Sequence, residues 1–363
     1  MISKKIAVLA GDGIGPEVMK EAVQVLTKVS KIYNHEFLFQ EGLIGGAAYE
    51  HCGTHFPHET LEICKNSDAI LYGSVGGPVS EQHLDKWKSC EVNSLLGIRK
   101  AFNFNANFRP VRIIPELSDL CPLKDEIVKN GVDLLVIREL LGDIYFGNKR
   151  SYEENGQRMA LDECSYSEDQ IRSIAHVAFK AAEKRRHKVT SIDKANVLYT
   201  SKLWREIVKE VHQDYPKIEL EHMLVDNAAM QLIKNPSSFD VLLCSNMFGD
   251  ILSDAAAVLP GSLGLMASAS LNSAGFGMFE PPGGSAQDIA GKQIANPIGQ
   301  ILSASLMLKF TFGMINESES IEKAVAETIS QGYRTGDMLR NSSKKAISTS
   351  EMGSAIIKNL KAL

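Results

Sequence analysis

Short apolar runs of β-strand character alternate along this chain with segments of helical periodicity. Residues 16–33 and 168–184 repeat apolar residues at helical spacing and are expected to form amphipathic helices. The apolar runs between such segments are KKIAVLA, HEFLFQ, DAILYGSVG, GVDLLVIREL, KVTSIDKANV and FDVLLCSN. Because nearly continuous apolar character is typical of strands buried on both faces of a sheet, the alternation predicts an α/β fold.

Length and composition narrow the class of protein. A chain of 363 residues is expected to form about two domains. It has no apolar run near the roughly 20 residues that a membrane span needs, and its N-terminal segment lacks the features of a signal peptide. The six cysteines form no CxxC pair and the net charge is −5, which favours reduced thiols and gives no general attraction to nucleic acid. We therefore expect a cytoplasmic protein that binds neither membranes nor nucleic acid.

The stretch AVLAGDGIGPEV, residues 7–18, looks at first like a dinucleotide-binding turn. A Rossmann fingerprint reads GxGxxG, and its third glycine permits close packing of helix on strand. Here Gly11 and Gly13 are followed by Pro16 where that third glycine belongs, and proline suits the first turn of a helix. The spacing favours a tight strand–helix turn at the ligand-facing edge of a sheet over a Rossmann site.

Two aspartates in SNMFGDILSDAAAVLPG, residues 245–261, have helical spacing. A helix presents Asp250 and Asp254 on one face, where they repel each other unless a cation lies between them. Carboxylate oxygens are ligands that suit Mg²⁺ or Mn²⁺, although two solvated acids remain an equal interpretation. Asp226, in LVDNAAMQL, completes such a set only if the fold brings it close.

Several cationic side chains follow apolar runs. Arg138 and Lys194 each end a strand-like run, and Arg99 and Arg109 follow apolar or aromatic stretches. Ligand sites of open α/β sheets lie beyond the carboxyl ends of strands, and converging guanidinium groups would hold a small di- or tricarboxylate. Each arginine alone also fits a surface charge, and Tyr145 alone fits a partly buried core residue.

A second glycine-rich segment, FEPPGGSAQDIAGKQIANP, covers residues 279–297. It combines glycines with small polar residues, Asp288 and Asn296. Such a loop can offer backbone N–H groups to phosphate or adenosine, and a plain surface loop is the alternative.

Taken in their order along the chain, the motifs resemble the isocitrate/isopropylmalate family of metal-dependent β-decarboxylating dehydrogenases. They are GDGIGPEV, GSVGGP, LLGIRK, NFRPVR, VIRELLGDIYFG, SIDKANVL, VDNAAMQL, MFGDILSD and GGSAQDIAGKQIANP. The resemblance implies an α/β fold that is not a Rossmann fold, with two domains sharing a central mixed sheet. It implies a discontinuous cofactor-binding domain, residues 1–104 and 260–363, and a substrate, metal and dimerisation domain, residues 105–259. It also implies a homodimer whose active sites are shared between subunits.

The resemblance also implies roles for single residues. Tyr145 and Lys194 would be catalytic, Lys194 as general base or proton relay and Tyr145 as general acid. The metal ligands would be Asp250, Asp254 and Asp226, with Asp226 and Lys194 contributed by the partner subunit. The substrate would be bound by Arg99, Arg109, Arg138, Asp226 and Leu95. The cofactor would be bound by Ile14, Gly284, Ser285, Ala286, Asp288, Ile289 and Asn296.

The residues before Arg99 bear on the choice of substrate. Leu95 and Leu96 offer an apolar surface where relatives that use isocitrate present polar residues. Burying an isopropyl group there gains about 2 kcal/mol, whereas an unpaired carboxylate would cost several kcal/mol. The expected reaction is oxidative decarboxylation of (2R,3S)-3-isopropylmalate to 4-methyl-2-oxopentanoate and CO₂, a step of leucine biosynthesis. D-malate and tartrate are less firmly excluded, because decarboxylases for these substrates have similar motifs.

Asp288 and Ile289 bear on the choice of cofactor. They stand where NADP-dependent relatives carry Lys-Tyr, and a carboxylate accepts hydrogen bonds from ribose hydroxyls but repels a 2′-phosphate. NAD⁺ is therefore expected, with Mg²⁺ or Mn²⁺. The loop departs from the family at Gln287 and Gly283, which raises the question of its rigidity before NAD⁺ binds. A non-catalytic regulatory subunit is the alternative of a different class, but it predicts loss of catalytic residues that this chain retains.

Overall fold

The fold is taken from a computed structural model that describes residues 1–339 and 345–363; residues 340–344 of the predicted cofactor-binding domain lie outside it. The strands are β1 (Ser3–Gly11), β2 (Glu36–Glu41), β3 (Ala69–Ser74), β4 (Ala106–Arg112), β5 (Asp133–Glu139), β6 (Lys149–Glu154), β7 (Gln157–Asp162), β8 (Lys188–Asp193), β9 (Glu219–Leu224), β10 (Val241–Cys244), β11 (Ser268–Leu271) and β12 (Gly277–Glu280). The helices are α1 (Gly15–Tyr33), α2 (Gly45–Cys52), α3 (His58–Lys65), α4 (Gly97–Ala101), α5 (Asp125–Val128), α6 (Glu168–Glu183), α7 (Tyr199–His212), α8 (Val225–Lys234), α9 (Asn246–Ala257), α10 (Ile298–Phe310), α11 (Ile315–Ser330) and α12 (Thr349–Asn359). The predicted alternation of strands and helices is confirmed.

The chain forms two compact units. The first comprises Met1–Phe102, Ile114–Leu120 and Pro260–Leu363, and the second comprises Asn103–Ile113 and Cys121–Leu259. The short segment Ile114–Leu120 therefore lies in the first unit, whereas the sequence prediction assigned it to the substrate domain. Its Leu117 and Leu120 are buried, and a Cβ atom at Gly261 would lie only 2.2 Å from Leu120 Cβ. The functions predicted for the two domains stay predictions.

In the first unit the strands lie in the order β2-β1-β3-β12-β11. The pairs of β1 with β2 and β3, and of β12 with β3, are parallel, whereas β11 and β12 are antiparallel. Helix α1 starts directly after β1, with Pro16 in its first turn, as the turn chemistry predicted. A Cβ atom at Gly13 would lie 1.9 Å from the carbonyl oxygen of Ser285. The glycine is therefore needed because the second glycine-rich loop passes directly against this turn.

In the second unit the strands lie in the order β4-β5-β10-β8-β9. Strand β4 is antiparallel to β5, and the pairs β5–β10, β10–β8 and β8–β9 are parallel. The carboxyl ends of β5, β8 and β10 therefore share one edge of the sheet, and these are the ends at which Arg138, Lys194 and helix α9 occur. A separate hairpin of β6 and β7 turns at Asn155-Gly156, both with positive φ, as expected for a two-residue hairpin.

Two expectations from the sequence concern the whole chain: that it has no membrane span and that its cysteines are reduced. Within residues 1–339 and 345–363, no helix is long and apolar enough to cross a membrane. All six cysteines lie in the described part of the chain and are free thiols.

Candidate active site

Arg109 and Arg138 lie on neighbouring antiparallel strands, β4 and β5, where Arg138 is opposite Asn107. Both arginines are buried, with 7% and 2% of their surface exposed. Helix α9 begins after β10, the other neighbour of β5, and so runs close to Arg138. Gly249 permits this approach, because a Cβ atom there would lie 2.8 Å from Arg138 Cβ and Cγ. Strand order thus brings α9 onto the arginines.

Asp250 and Asp254 face these arginines from α9. Arg109 Nη1 donates to Asp254 Oδ1 at 2.5 Å, and Arg138 Nη1 donates to Asp250 Oδ1. The cations that offset the repulsion between the two carboxylates are therefore arginines of the same chain. The side chains of Asp250 and Asp254 remain 32% and 63% exposed, so both acids stay accessible to a ligand from solvent.

Tyr145 lies against the same group. Its hydroxyl donates to Asp250 Oδ2 at 2.8 Å, and the guanidinium carbon of Arg138 lies 5.6 Å from the centre of its ring. Burial, reinforced by the hydrogen bond to Asp250 and by that carboxylate's charge, raises the pKa of Tyr145 to about 12. The phenol therefore carries its proton at neutral pH and has the protonation state of an acid catalyst.

The pair Asp250–Asp254 fits a hard divalent cation in its donor chemistry. It offers carboxylate oxygens one helical turn apart and partly open to solvent. Among the described residues, no group of three or more His, Cys, Asp or Glu side chains could hold a metal ion. Asp226 is therefore not grouped with these two acids within one chain, and its predicted role as a ligand depends on a second copy.

Lys194 and Asp226 pair with each other. Lys194 follows β8, Asp226 lies in the first turn of α8, and Lys194 Nζ donates to Asp226 Oδ1 at 2.7 Å. This hydrogen bond lowers the pKa of the Asp226 carboxyl group. Before Lys194, the buried Asp193 accepts two hydrogen bonds from Arg205, both 2.8 Å, and one from Ala195 N at 2.9 Å. The backbone that carries Lys194 is thereby fixed on both sides.

Large apolar side chains are exposed on the segments that carry this pair. Val197 and Tyr199 follow Lys194 and are 60% and 84% exposed, and Met230 and Ile233 on α8 are 54% and 61% exposed. Further exposed apolar residues of the second unit are Met159, Leu161, Leu198, Ile251 and Val258. Exposed apolar side chains in such number are typical of a surface that another protein covers.

In the first unit, Arg99 and Leu95 occupy adjoining helical turns. Arg99 is 4% exposed and lies on α4, and its Nη2 donates to Glu280 Oε1 at 3.1 Å. Leu95 lies half-buried on the π-helical turn Val92–Leu96, directly before α4. Glu280 therefore balances the charge of Arg99, a pairing that the sequence did not predict.

A cavity of about 500 Å³ lies in the first unit. Of the predicted cofactor residues, Ile14, Gly284, Ala286, Ile289 and Asn296 line it. Ser285 instead accepts a hydrogen bond from Ile14 N through its carbonyl oxygen at 2.9 Å, and Asp288 is exposed.

The cavity fits a polar ligand with an extended apolar part. Gln300 lines it and is 1% exposed, and within the described residues its amide oxygen and nitrogen have no hydrogen-bond partner. Buried polar groups need such partners. Around Gln300 the lining is mostly glycine and apolar side chains, which suits the ring and sugar surfaces of a nucleotide.

Some residues of the site were not predicted from the sequence. Asn246 accepts from Arg138 Nε and Nη2 at 2.9 and 2.7 Å, and Ser253 accepts from Arg109 Nη1 at 2.8 Å. Asn246 lies four residues before Asp250, so the helical spacing that identified the aspartates also points to it. Glu280 has no comparable local signal, because its partner Arg99 lies far away in the sequence, and Gln300 is identified only by its place in the wall of the cavity.

Comparison with known proteins adds independent evidence. The model of the family described as isocitrate/isopropylmalate dehydrogenase matches residues 5–356. The 3-isopropylmalate dehydrogenase of Desulfotalea psychrophila is 52% identical over 98% of this chain and 99% of its own length. That of Haemophilus influenzae is likewise 52% identical, over 98% and 99%. The crystal structure of isocitrate dehydrogenase from Methylococcus capsulatus matches with a TM-score of 0.86 and 33% identity, covering 99% of both chains.

Proposed function

The chain belongs to the isocitrate/isopropylmalate dehydrogenase family, and we propose that it oxidises and decarboxylates (2R,3S)-3-isopropylmalate to 4-methyl-2-oxopentanoate and CO₂. Family membership confirms the predicted fold class and the predicted class of enzyme, an oxidoreductase. Relatives 52% identical over nearly the whole chain bear the name 3-isopropylmalate dehydrogenase, which supports this substrate and a role in leucine biosynthesis.

The observation that carries the proposal is the group formed by Arg109, Arg138, Tyr145, Asp250 and Asp254. Two buried guanidinium groups that donate to partly exposed acids suit the carboxylates of a small anionic substrate. A substrate carboxylate would accept hydrogen bonds from these guanidinium groups, and Asp250 and Asp254 would then be able to hold a divalent cation. Arg99 is proposed as a further carboxylate ligand, with Glu280 holding its guanidinium.

When bound, NAD⁺ accepts a hydride and a divalent cation polarises the oxygen atoms of the substrate. Asp250 and Asp254, with Asp226 of a second copy, are the proposed cation ligands. Lys194 is proposed as the general base that takes the proton of the substrate's hydroxyl group or relays it to solvent. Tyr145 is proposed to give a proton to the carbon that loses CO₂, because its phenol is protonated at neutral pH.

NAD⁺ is the proposed cofactor, and the cavity of the first unit is its proposed site. Ile14, Gly284, Ala286, Ile289 and Asn296 line that cavity, and Gln300 supplies a buried amide that has no hydrogen-bond partner among the residues that the structure describes. Asp288 is proposed to face the ribose hydroxyl groups. Replacing Asp288 and Ile289 with Lys and Tyr should move the preference toward NADP⁺. An unchanged ratio of NAD⁺ to NADP⁺ activity would remove Asp288 from this role.

A homodimer with shared active sites is the proposed assembly. The exposed apolar side chains on α8 and after β8 support it, because they lie within a few residues of Lys194 or Asp226 in the sequence. A second copy that covers this surface would bring Lys194 and Asp226 to the partner's Asp250 and Asp254.

The test of the proposed function compares four substrates side by side. NADH formation is measured with 3-isopropylmalate, D-malate, tartrate and isocitrate, each with Mg²⁺ and with Mn²⁺. We expect the highest kcat/KM with 3-isopropylmalate. An equal or higher kcat/KM with D-malate or tartrate would contradict the substrate while leaving the reaction class in place.

A substitution at Leu95 tests the choice of substrate in a second way. Leu95→Ser removes apolar contact from the proposed isopropyl site, so we expect kcat/KM for 3-isopropylmalate to fall about tenfold, the effect of losing one to two buried methylene groups. The value for D-malate, which lacks the isopropyl group, serves as the internal control and should stay within twofold.

A further inference from the structure

The loop of residues 283–296 forms one wall of the nucleotide cavity. Two glutamines of this loop form hydrogen bonds to other parts of the first unit. Gln287 Nε2 donates to the carbonyl oxygen of Gly76 at 2.7 Å. Gln293 Nε2 donates to Glu17 Oε2 at 3.0 Å. Neither glutamine is among the described residues that line the cavity. Both side chains therefore bind the body of the first unit and leave the ligand side of the loop free.

Gln287 binds a segment that is itself fixed. Gly76 N donates to Asp12 Oδ2 at 3.0 Å, and Asp12, 6% exposed, also accepts from Gly46 N and Ala47 N at 2.8 Å each. A buried carboxylate with three backbone donors is a strong and well-ordered hydrogen-bond centre. The carbonyl group of Gly76 thus gives Gln287 a rigid point of attachment.

Gln293 binds a buried acid on α1. Glu17 lies in the first turn of that helix and is 9% exposed. Its Oε2 accepts from the side chain of Gln293 and from the Gln293 backbone N at 3.2 Å. Hydrogen bonds to a charged acceptor are stronger than those between neutral groups, so this end of the loop is also firmly attached.

The backbone of the loop needs such attachment. Ala286, next to Gln287, has φ +40°, and Gln293 has φ +56°. For residues other than glycine this left-handed conformation costs roughly 1–2 kcal/mol each. A loop with two such residues would relax into other conformations unless contacts to the rest of the unit held it.

We propose that Gln287 and Gln293 are positioning residues that hold the cavity wall in its cofactor-binding conformation before NAD⁺ arrives. This inference rests on the proposed function, in which the cavity takes NAD⁺. The two carboxamides make the ordering of the loop a property of the free protein. The cofactor then binds without first ordering the loop, so its affinity depends on both glutamines.

The decisive variant is Gln287→Glu, which keeps the shape of the side chain and removes its N–H donor. We expect the dissociation constant of NADH, measured by fluorescence titration, to rise about threefold to tenfold, the effect of losing one hydrogen bond. The KM for NAD⁺ should rise equally, while kcat at saturating NAD⁺ and the KM for 3-isopropylmalate stay within twofold. Gln293→Gly tests the second attachment without straining the backbone at positive φ, and we expect a similar rise.

Gln82→Glu is the matched control, because it makes the same change of an amide to a carboxylate. Gln82 Nε2 also donates to a glycine carbonyl, that of Gly77 at 3.1 Å, but from outside the loop. We expect it to leave NADH affinity unchanged. An affinity loss equal to that of Gln287→Glu would overturn the proposal, because the effect would then not come from the loop.

Hydrogen exchange of the free protein gives a second readout that does not depend on activity. In Gln287→Glu without cofactor, amides of residues 283–292 should exchange faster than in the wild type, and NADH should restore their protection. Unchanged exchange and unchanged NADH affinity would overturn the proposal, and so would faster exchange with unchanged affinity. A wild-type protein that binds no NADH would overturn the proposed function instead, and exchange in the free protein would still decide whether the glutamines order the loop.

Discussion

Two groups of charged side chains in the second unit are built in opposite ways. Around α9, buried arginines already satisfy Asp250 and Asp254 within one chain. After the end of β8, the side chains of Lys194 and Asp226 are partly exposed and form an ion pair with each other, and the two residues belong to segments with exposed apolar side chains. The first group, proposed as the binding site for the substrate, has its charges paired within one chain. The second group combines an exposed ion pair with exposed apolar side chains, which is the combination expected where a second copy of the chain binds.

The largest effect should follow from removing Arg138. Arg138→Met leaves Asp250 and Asn246 without their buried donor, and loss of one partner from a buried charged pair costs about 2–5 kcal/mol. We expect kcat/KM for 3-isopropylmalate to fall about 10³-fold. Arg138→Lys, which keeps the charge but not the planar fork, should recover only part of this loss. A value for Arg138→Met within tenfold of the wild type would contradict the assignment of this group as the substrate site.

The next effect concerns Lys194. Lys194→Ala should lower kcat about 10²-fold or more, the contribution of a general base or proton relay. Binding of Mn²⁺, followed by isothermal titration calorimetry, should change little. Wild-type turnover in Lys194→Ala would remove the lysine from the mechanism.

Mixed dimers distinguish a shared site from one within a single chain. Lys194→Ala and Arg138→Met are each nearly inactive in this scheme, but a dimer with one copy of each variant has one site with both native residues. Co-expression with random pairing should therefore restore roughly a quarter of wild-type activity. Co-expression that restores none would show that Arg138 and Lys194 of the same chain act together.

A smaller effect is expected from charging the exposed apolar surface. Met230→Asp together with Ile233→Asp places two carboxylates on the outer face of α8, and we expect monomers in sedimentation velocity and a loss of activity of about tenfold or more. Leu43→Asp is the matched control, because Leu43 is 44% exposed in the first unit. Its sedimentation coefficient should equal that of the wild type. A double variant that sediments like the wild type would contradict the predicted interface.

The smallest effect concerns His222, which lies on β9 close to Asp193. Its Nδ1 is 3.9 Å from Asp193 Oδ2, and burial, followed by the charge of Arg205, lowers its pKa to about 4. Between pH 6.5 and 4 the unfolded chain binds a proton that the folded protein does not, so the free energy of unfolding decreases as the pH falls through this range. The loss should reach about 2 kcal/mol at pH 4.5 and be absent at pH 7.

Urea unfolding at pH 7 and pH 4.5 checks this expectation. The His222→Gln variant has no titrating group at this position, so it should lose less stability between the two pH values than the wild type does. Equal losses in both proteins would show that His222 does not titrate as its surroundings imply.

Much of the site was predictable where its signal is local. The spacing of Asp250 and Asp254 predicted one face of a helix, and α9 presents them so. Pro16 predicted a helix start in place of a Rossmann turn, and α1 begins there. Local signals succeed here because helix periodicity and proline geometry act within a few residues.

Partners distant in the sequence were not predictable in this way. Glu280 binds Arg99 across 181 residues, and Gln287 binds Gly76 across 211 residues. Nothing in the sequence near either residue indicates such a partner, because strand order and loop packing bring the two atoms together. The same holds for Gly13, whose need for a missing Cβ comes from Ser285.

The sequence by itself therefore determined the α/β class, the family and the residue types available for chemistry. These follow from periodicity, from turn chemistry and from motifs in a fixed order. The tertiary structure alone decided which charges neutralise each other: Arg138 with Asp250, Arg99 with Glu280, and Lys194 with Asp226. Charge pairing depends on distances of a few ångströms, and such distances between remote residues exist only once the strands are ordered and packed.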